Sequence, residues 1–183
     1  MRFSKGFTLI ELLVTIAIMA ILAMIAAPSF VQQIRSNYVV ATTTKLQDAL
    51  SFARSEAIKR SAYITICSSS NGSTCLTSPD WTKGWLVFVD NVSSESSASV
   101  SEGTVLLYWN DINTNIAISA VRGTSQSLSF LRFNTIGLLA KLSASDTDIR
   151  TFKIQTNGCS TSKARMITVG YAGVINFASA TCS

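Results

Sequence analysis

Histidine is absent from this chain of 183 residues, and charged residues make up only 14% of it. Without histidine there is no Ser-His or Cys-His nucleophile pair. The four cysteines, Cys67, Cys75, Cys159 and Cys182, do not form the close ligand pairs of a zinc site either. Seven residues separate the first two and twenty-two the last two. No glycine-rich phosphate loop follows a strand pattern, and no acidic cluster suggests a metal. Asp146 and Asp148 read as a solvated turn. The residues therefore point away from an enzyme, and no cofactor or metal is expected. Proline is scarce too, with two in the chain, and the first of them, Pro28, closes the one long apolar run.

That run is the most informative feature present. From Phe7 to Ala27 the only ionisable side chain is Glu11. As a helix these 21 residues span about 32 Å, close to the hydrocarbon thickness of a bilayer. A cleaved signal peptide would show a shorter apolar core and a small-x-small site. Here the alanines at 17, 20, 23, 26 and 27 never fall two apart. Arg2 and Lys5 precede the run and favour keeping that end cytoplasmic. The rest of the chain is then translocated to a compartment where disulfides form. An even cysteine count fits this. Three pairings are open, and the sequential one, Cys67–Cys75 with Cys159–Cys182, is the simplest.

The segment "KGFTLIELLVTIAIMAILAMIAAP" resembles the N-terminus of type IV pilins and type II secretion pseudopilins. The likeness lies in a short basic leader ending in Gly6, then "FTLIE", a long apolar helix and Pro28. It implies cleavage by a prepilin peptidase between Gly6 and Phe7, N-methylation of the new Phe7 amine, and an assembly role for Glu11. A lone carboxylate in lipid costs a few kcal/mol, and the cleaved terminus of a neighbouring subunit supplies a cation that offsets it. Pro28 lacks an N–H and is expected to disrupt the helix before it. Ala17, Ala20, Ala23 and Ala27 form a small-residue stripe suited to helix packing in lipid.

Beyond Pro28 the texture becomes globular. From Ser29 to about Ala62 the pattern is helical, with Val31, Ile34, Tyr38, Ala41, Leu46, Ala49, Ala53 and Ala57 as the expected apolar face. Beyond Tyr63 come eight candidate strands: "AYITIC", "WLVFVD", "TVLLYW", "NIAISA", "LSFLRF", "TFKIQ", "ARMITV" and "GVINF". Between Ser93 and Ser101, six of nine residues are serine, which predicts an exposed, mobile loop. Trp81, Trp85, Phe88 and Trp109 read as sheet core rather than a binding platform.

The expected fold is α+β: a long N-terminal helix, membrane-spanning in its first half, packed on an antiparallel β-sheet domain. The expected divisions are a leader at 1–6, a transmembrane and assembly helix at 7–28, its amphipathic continuation at 29–62 and a β-rich domain at 63–183. The stretch "WTKGWLVFVD" resembles the aromatic-Gly-Trp strand of the GspH/FimT-like minor pilins and pseudopilins. "FNTIGLL", a cysteine-bearing strand and "ARMITVGYAGVINF" resemble that family's C-terminal half, and Cys159 and Cys182 suit its C-terminal disulfide.

The resemblance implies a structural subunit that helps to initiate or cap a type IV pilus-like filament, or an H-type pseudopilin of type II secretion. It sits first in the inner membrane with a periplasmic domain, and then in the filament, at or near its tip. Its partners are other pilins or pseudopilins, met through the N-terminal helix, and the prepilin peptidase. Some members act as DNA receptors in natural transformation through a Gly-Arg-x-Arg turn. The matching place here reads "GVIN", Gly173 to Asn176, so neither arginine carries over. Residues 122–183 still hold seven Lys/Arg against two Asp/Glu. Arg150, Lys153, Lys163 and Arg165 are the candidates for weak, non-specific phosphate contacts.

Overall fold

The computed structural model describes residues 6–143, 146, 148–159 and 164–182, with the backbone alone at 25–29. The leader residues 1–5 and Lys163 lie outside it. The chain divides into two units, residues 1–37 and Tyr38–Ser183.

The first unit is helical. The helix α1 (Leu9–Arg60) begins in it, and the helical assignment continues through Pro28. The expected break at that proline is therefore absent. One lost backbone bond does not end a helix that has several regular turns on either side. Large apolar side chains from Leu9 to Met24 are all exposed. Among the described residues no helix is long and apolar enough to cross a membrane.

The second unit holds the rest of α1 and, among the described residues, nine strands. They are β1 (Ile64–Ser68), β2 (Trp85–Asp90), β3 (Glu102–Trp109), β4 (Ile116–Arg122), β5 (Gln126–Ser127), β6 (Phe130–Phe133), β7 (Arg150–Thr156), β8 (Ala164–Val169) and β9 (Ile175–Ala180). All eight expected strands are present, two with the expected bounds and the others shifted by up to three residues at their ends. The two-residue β5 and a 3-10 turn at Trp81–Lys83 were not expected. The strands form two antiparallel sheets, ordered β3-β2-β1-β6 and β5-β4-β7-β8-β9, and the helix on an antiparallel β-sheet domain is as expected.

Val39, Leu46, Ala49, Leu50, Ala53 and Ala57 of α1 share one core with Ile64 and Ile66 of β1, Val87 of β2, Phe133 of β6, and Phe152, Ile154 and Ile167 of the second sheet. The expected apolar face is right from Leu46 onward and wrong above it. Ala41 and Tyr38 are exposed, while Val39, Thr42 and Thr43 are buried. The expected stripe stepped five residues from Ala41 to Leu46, which on a helix of 3.6 residues per turn moves to another face. The buried stripe keeps steps of three and four, and the Thr43 hydroxyl is satisfied by the Val39 carbonyl at 2.7 Å.

The end of α1 is a Schellman cap. The Ala62 N–H donates to the Ala57 carbonyl and the Ser61 N–H to the Ile58 carbonyl, both at 3.3 Å. Ser61 takes the left-handed conformation, φ 50°, in the place usually held by glycine.

The first sheet is covered on both faces, so β1 is buried at every position. Ile64 and Ile66 face the main core. On the other side Cys67, Leu86 and Phe88 form a second small core, with Cys75, Val100, Tyr108 and Phe130 packed against it. Trp81, Trp85 and Phe88 are core residues, and Trp109 is partly buried.

Candidate functional site

The N-terminal segment starts with a local device. The Thr8 carbonyl accepts the first helical bond, from the Leu12 N–H at 3.2 Å. The Thr8 hydroxyl oxygen accepts from the Glu11 N–H at 3.3 Å, and Glu11 Oε2 accepts from the Thr8 N–H at 2.9 Å and from the Thr8 hydroxyl at 2.8 Å. This is a capping box, Thr-x-x-Glu, and it satisfies backbone donors that a helix start leaves open. Its sequence signature is the Thr8 and Glu11 of "TLIE". Among the described residues Glu11 has no cationic partner within ion-pair distance. Phe7 is 73% exposed.

Gly6 has no fold-imposed reason to be glycine. A Cβ there would meet nothing within 4 Å. Elsewhere the fold does demand glycine: a Cβ on Gly173 would lie 2.1 Å from the Gly137 carbonyl oxygen, and Gly173 has φ +70°.

Both disulfides pair sequentially. Cys67–Cys75 has a Cα separation of 5.7 Å and Cys159–Cys182 one of 5.6 Å. They sit differently. Cys67 is wholly buried in the second core, whereas Cys159 and Cys182 are half-buried at the end of the other sheet.

The expected mobile loop at Ser93–Ser101 is instead strapped down. Arg132 of β6, fully buried, donates through Nε to Asp90 Oδ2 at 2.9 Å, and its Nη2 lies 2.8 Å from the same oxygen. Nη1 donates to the carbonyls of Glu95 and Ser97, both at 2.9 Å, and Nη2 to that of Ser99 at 2.8 Å. The Thr65 hydroxyl and the Ser101 N–H complete Asp90 at 2.7 and 2.8 Å. The loop side chains are mostly exposed, but its backbone roofs the outer face of the first sheet. The readable signal was one arginine in "SFLRF" and one aspartate ending "WLVFVD", opposite charges in strands otherwise built for burial.

Of the basic residues proposed for phosphate contact, Arg150, Lys153 and Arg165 do not come together. Arg150 is 2% exposed; its Nη2 meets Asp146 Oδ2 at 2.8 Å and its Nη1 donates to the Asp148 carbonyl at 2.7 Å. Burial opposes ionisation of Asp146. The Arg150 hydrogen bond and those from the Leu142 and Asp148 N–H groups outweigh it, and its carboxyl is held below the ordinary range. In the ladder between β7 and β8, Lys153 stands opposite Met166 and Arg165 opposite Ile154, so the two point to opposite faces of the sheet. Lys163 lies outside the described residues. At the turn where receptor-type arginines would stand, the nearby arginine is Arg54 of α1. Its guanidinium is spent on the carbonyls of Gly137 at 3.0 Å and Ala172 at 3.1 Å.

Comparison with known proteins supplies the wider frame. The family profile described as "Type II transport protein GspH" matches residues 42–173. A second, "Prokaryotic N-terminal methylation motif", matches residues 1–27. The type IV wide pilus major component PilA4 of Thermus thermophilus is 41% identical over 63 residues, 34% of this chain. The chain spans about half, 48%, of the length of that curated relative. Two crystal structures of the type IV minor pilin FimU of Pseudomonas aeruginosa share the fold. One aligns with TM-score 0.58 at 24% identity, over 78% of this chain and 89% of that one. The other aligns with TM-score 0.54 at 25% identity, over 75% and 90%.

Proposed function

The chain belongs to the GspH family and carries the prokaryotic N-terminal methylation motif, and from this we propose that it is a minor pilin or pseudopilin, a structural subunit that helps to initiate or cap a pilus-like filament. The family and fold are those of structural pilins, and the proposal assigns no catalysis. The observation that carries it is the uncovered apolar surface of α1 from Leu9 to Met24, with one carboxylate, Glu11, and, among the described residues, no cation within ion-pair distance of it. A helix apolar on all sides has its environment outside the chain, in lipid or among other helices.

On this reading residues 7–28 span the inner membrane before assembly and pack against other pilin helices afterwards. A prepilin peptidase cleaves between Gly6 and Phe7, and Phe7 is then methylated. Glu11 meets the Phe7 amine of a neighbouring subunit. Thr8 holds the Glu11 carboxylate while the subunit is alone, and on this reading the neighbour's ammonium, a full positive charge, replaces those contacts on assembly.

Mass analysis of the membrane-derived N-terminus tests the reading. A mature chain starting at methylated Phe7 is expected. Retention of Met1 in cells with an active prepilin peptidase overturns it. Glu11→Ala is expected to leave insertion and cleavage intact and to lower the share of the protein found in sheared filaments. Equal partitioning of mutant and wild type speaks against intersubunit pairing.

A further inference from the structure

We propose that the open edge of β4 is a docking site for an extended, acidic peptide segment of another protein. The proposal rests on this edge alone and stands whether or not the chain joins a filament.

β4 lies second in its sheet, yet β5 pairs it only at Val121 and Arg122. Just before them the Leu128 N–H reaches the Ala120 carbonyl at 3.0 Å. Bonding groups alternate between the two sides of an antiparallel strand. With Ala120 turned outward, Ile118 and Ile116 turn outward as well, while Ala117 and Ser119 face β7. The Ile116 N–H is taken by the Asn113 carbonyl at 3.0 Å. The Ile118 N–H and carbonyl thus face an edge where, among the described residues, no strand is paired.

A cleft of about 500 Å³ lies beside that edge, within the usual range of ligand sites. Ile116, Ala117 and Ile118 all line it. Successive residues of a strand point to opposite faces, so a cleft lined by all three opens on the strand's edge. Thr82, Lys83, Asn110 and Asn113 line it as well. The loop wall is set in advance: Asn113 Oδ1 accepts from the Asn115 N–H at 2.9 Å, and Asn157 Nδ2 donates to the Thr114 carbonyl at 3.0 Å. The side chains of Lys83 and Asn110 are exposed and, among the described residues, make no hydrogen bond or ion pair.

An N–H and a carbonyl on one outward residue call for a ligand with both groups at strand spacing, which is a polypeptide main chain. The uncompensated Lys83 charge selects a carboxylate on that segment over an ammonium. Asn110 adds an amide that both donates and accepts. An unpaired edge of this kind is otherwise a liability that proteins cover.

The test uses the full chain in detergent and an end-blocked, fluorescein-labelled pentapeptide, Thr-Val-Asp-Val-Thr. Its companions carry Lys in place of Asp, or N-methyl groups on alternate amides that can no longer donate. The acidic peptide is expected to bind with a dissociation constant below about 1 mM and to protect the Ile118 amide from hydrogen exchange. N-methylation is expected to weaken binding about tenfold. Lys83→Glu, at an exposed site, is expected to reverse the preference between the acidic and basic peptides, and Asn110→Ala to weaken both, with unchanged melting in each case. No binding up to about 1 mM, equal binding of the N-methylated peptide, or a charge preference untouched by Lys83→Glu overturns the proposal.

Discussion

Two stretches of one helix use apolar residues in opposite ways. Leu9 is 77% and Met24 76% exposed, and every large apolar side chain between them is exposed as well. Leu46, Ala49, Leu50 and Ala53 are completely buried. The first stretch is apolar on all sides, so no single face could satisfy it. The second keeps a stripe at steps of three and four and surrounds it with Lys45, Asp48, Arg54 and Ser55. The lesson is that hydropathy alone does not say whose core a helix belongs to; the angular spread of the apolar residues does. The second stretch serves the chain's own fold, and the first is left uncovered by it. Substitutions in the Tyr38–Ser183 unit should therefore change melting, whereas those around Glu11 should change incorporation into filaments.

The largest expected effect is at Arg132. Arg132→Ala leaves Asp90 charged and buried and releases three loop carbonyls, at a cost of about 3–5 kcal/mol. Thermal or denaturant melting of the full chain measures it. A loss under about 1 kcal/mol would reduce the pair to the worth of a surface ion pair. Asp90→Asn with Arg132→Met, which removes both charges, is expected to recover part of the loss.

The disulfides come next. Loop length alone ranks Cys159–Cys182 first, by roughly half to one kcal/mol. Burial reverses that order. Cys67→Ser with Cys75→Ser places a hydroxyl among Leu86 and Phe88, adding about 1–3 kcal/mol for an unpaired polar group. The Cys67/Cys75 double mutant is expected to melt lower than the Cys159/Cys182 one. The opposite ranking would show that chain entropy outweighs packing here.

A smaller gain is expected at the helix end. Ser61→Gly relieves the left-handed backbone at the cap and should stabilise the fold by about 1 kcal/mol. No change in melting would mean that Ser61 is already at ease in that conformation.

The smallest effect is on pH. The Asp146 carboxyl is held below its ordinary value in the fold. Its contribution is fully present above the unfolded carboxylate pKa, about 3.9, and is lost as pH falls through the lower folded value. Melting of wild type against Asp146→Asn is expected to differ most above about pH 4 and to converge in stronger acid. A gap that widened on acidification would reverse the sign.

Much of the design was legible in the residues. The apolar run from Phe7, the acid at Glu11 and the strands all follow from local pattern, because periodicity and spacing report a residue's immediate environment; the cysteine spacing left three pairings open, and the structure shows the sequential one. "TLIE" holds the capping box as well. The division into two sheets, the fate of the serine-rich loop and the dispersal of Arg150, Lys153 and Arg165 were decided by tertiary structure. Each depends on which strand lies beside which. That choice turns Arg132 toward Asp90 across β1, buries Arg150 against Asp146, and leaves the β4 edge open beside Lys83. Strand neighbours distant in sequence are set by packing over the whole core, and no window of adjacent residues contains them.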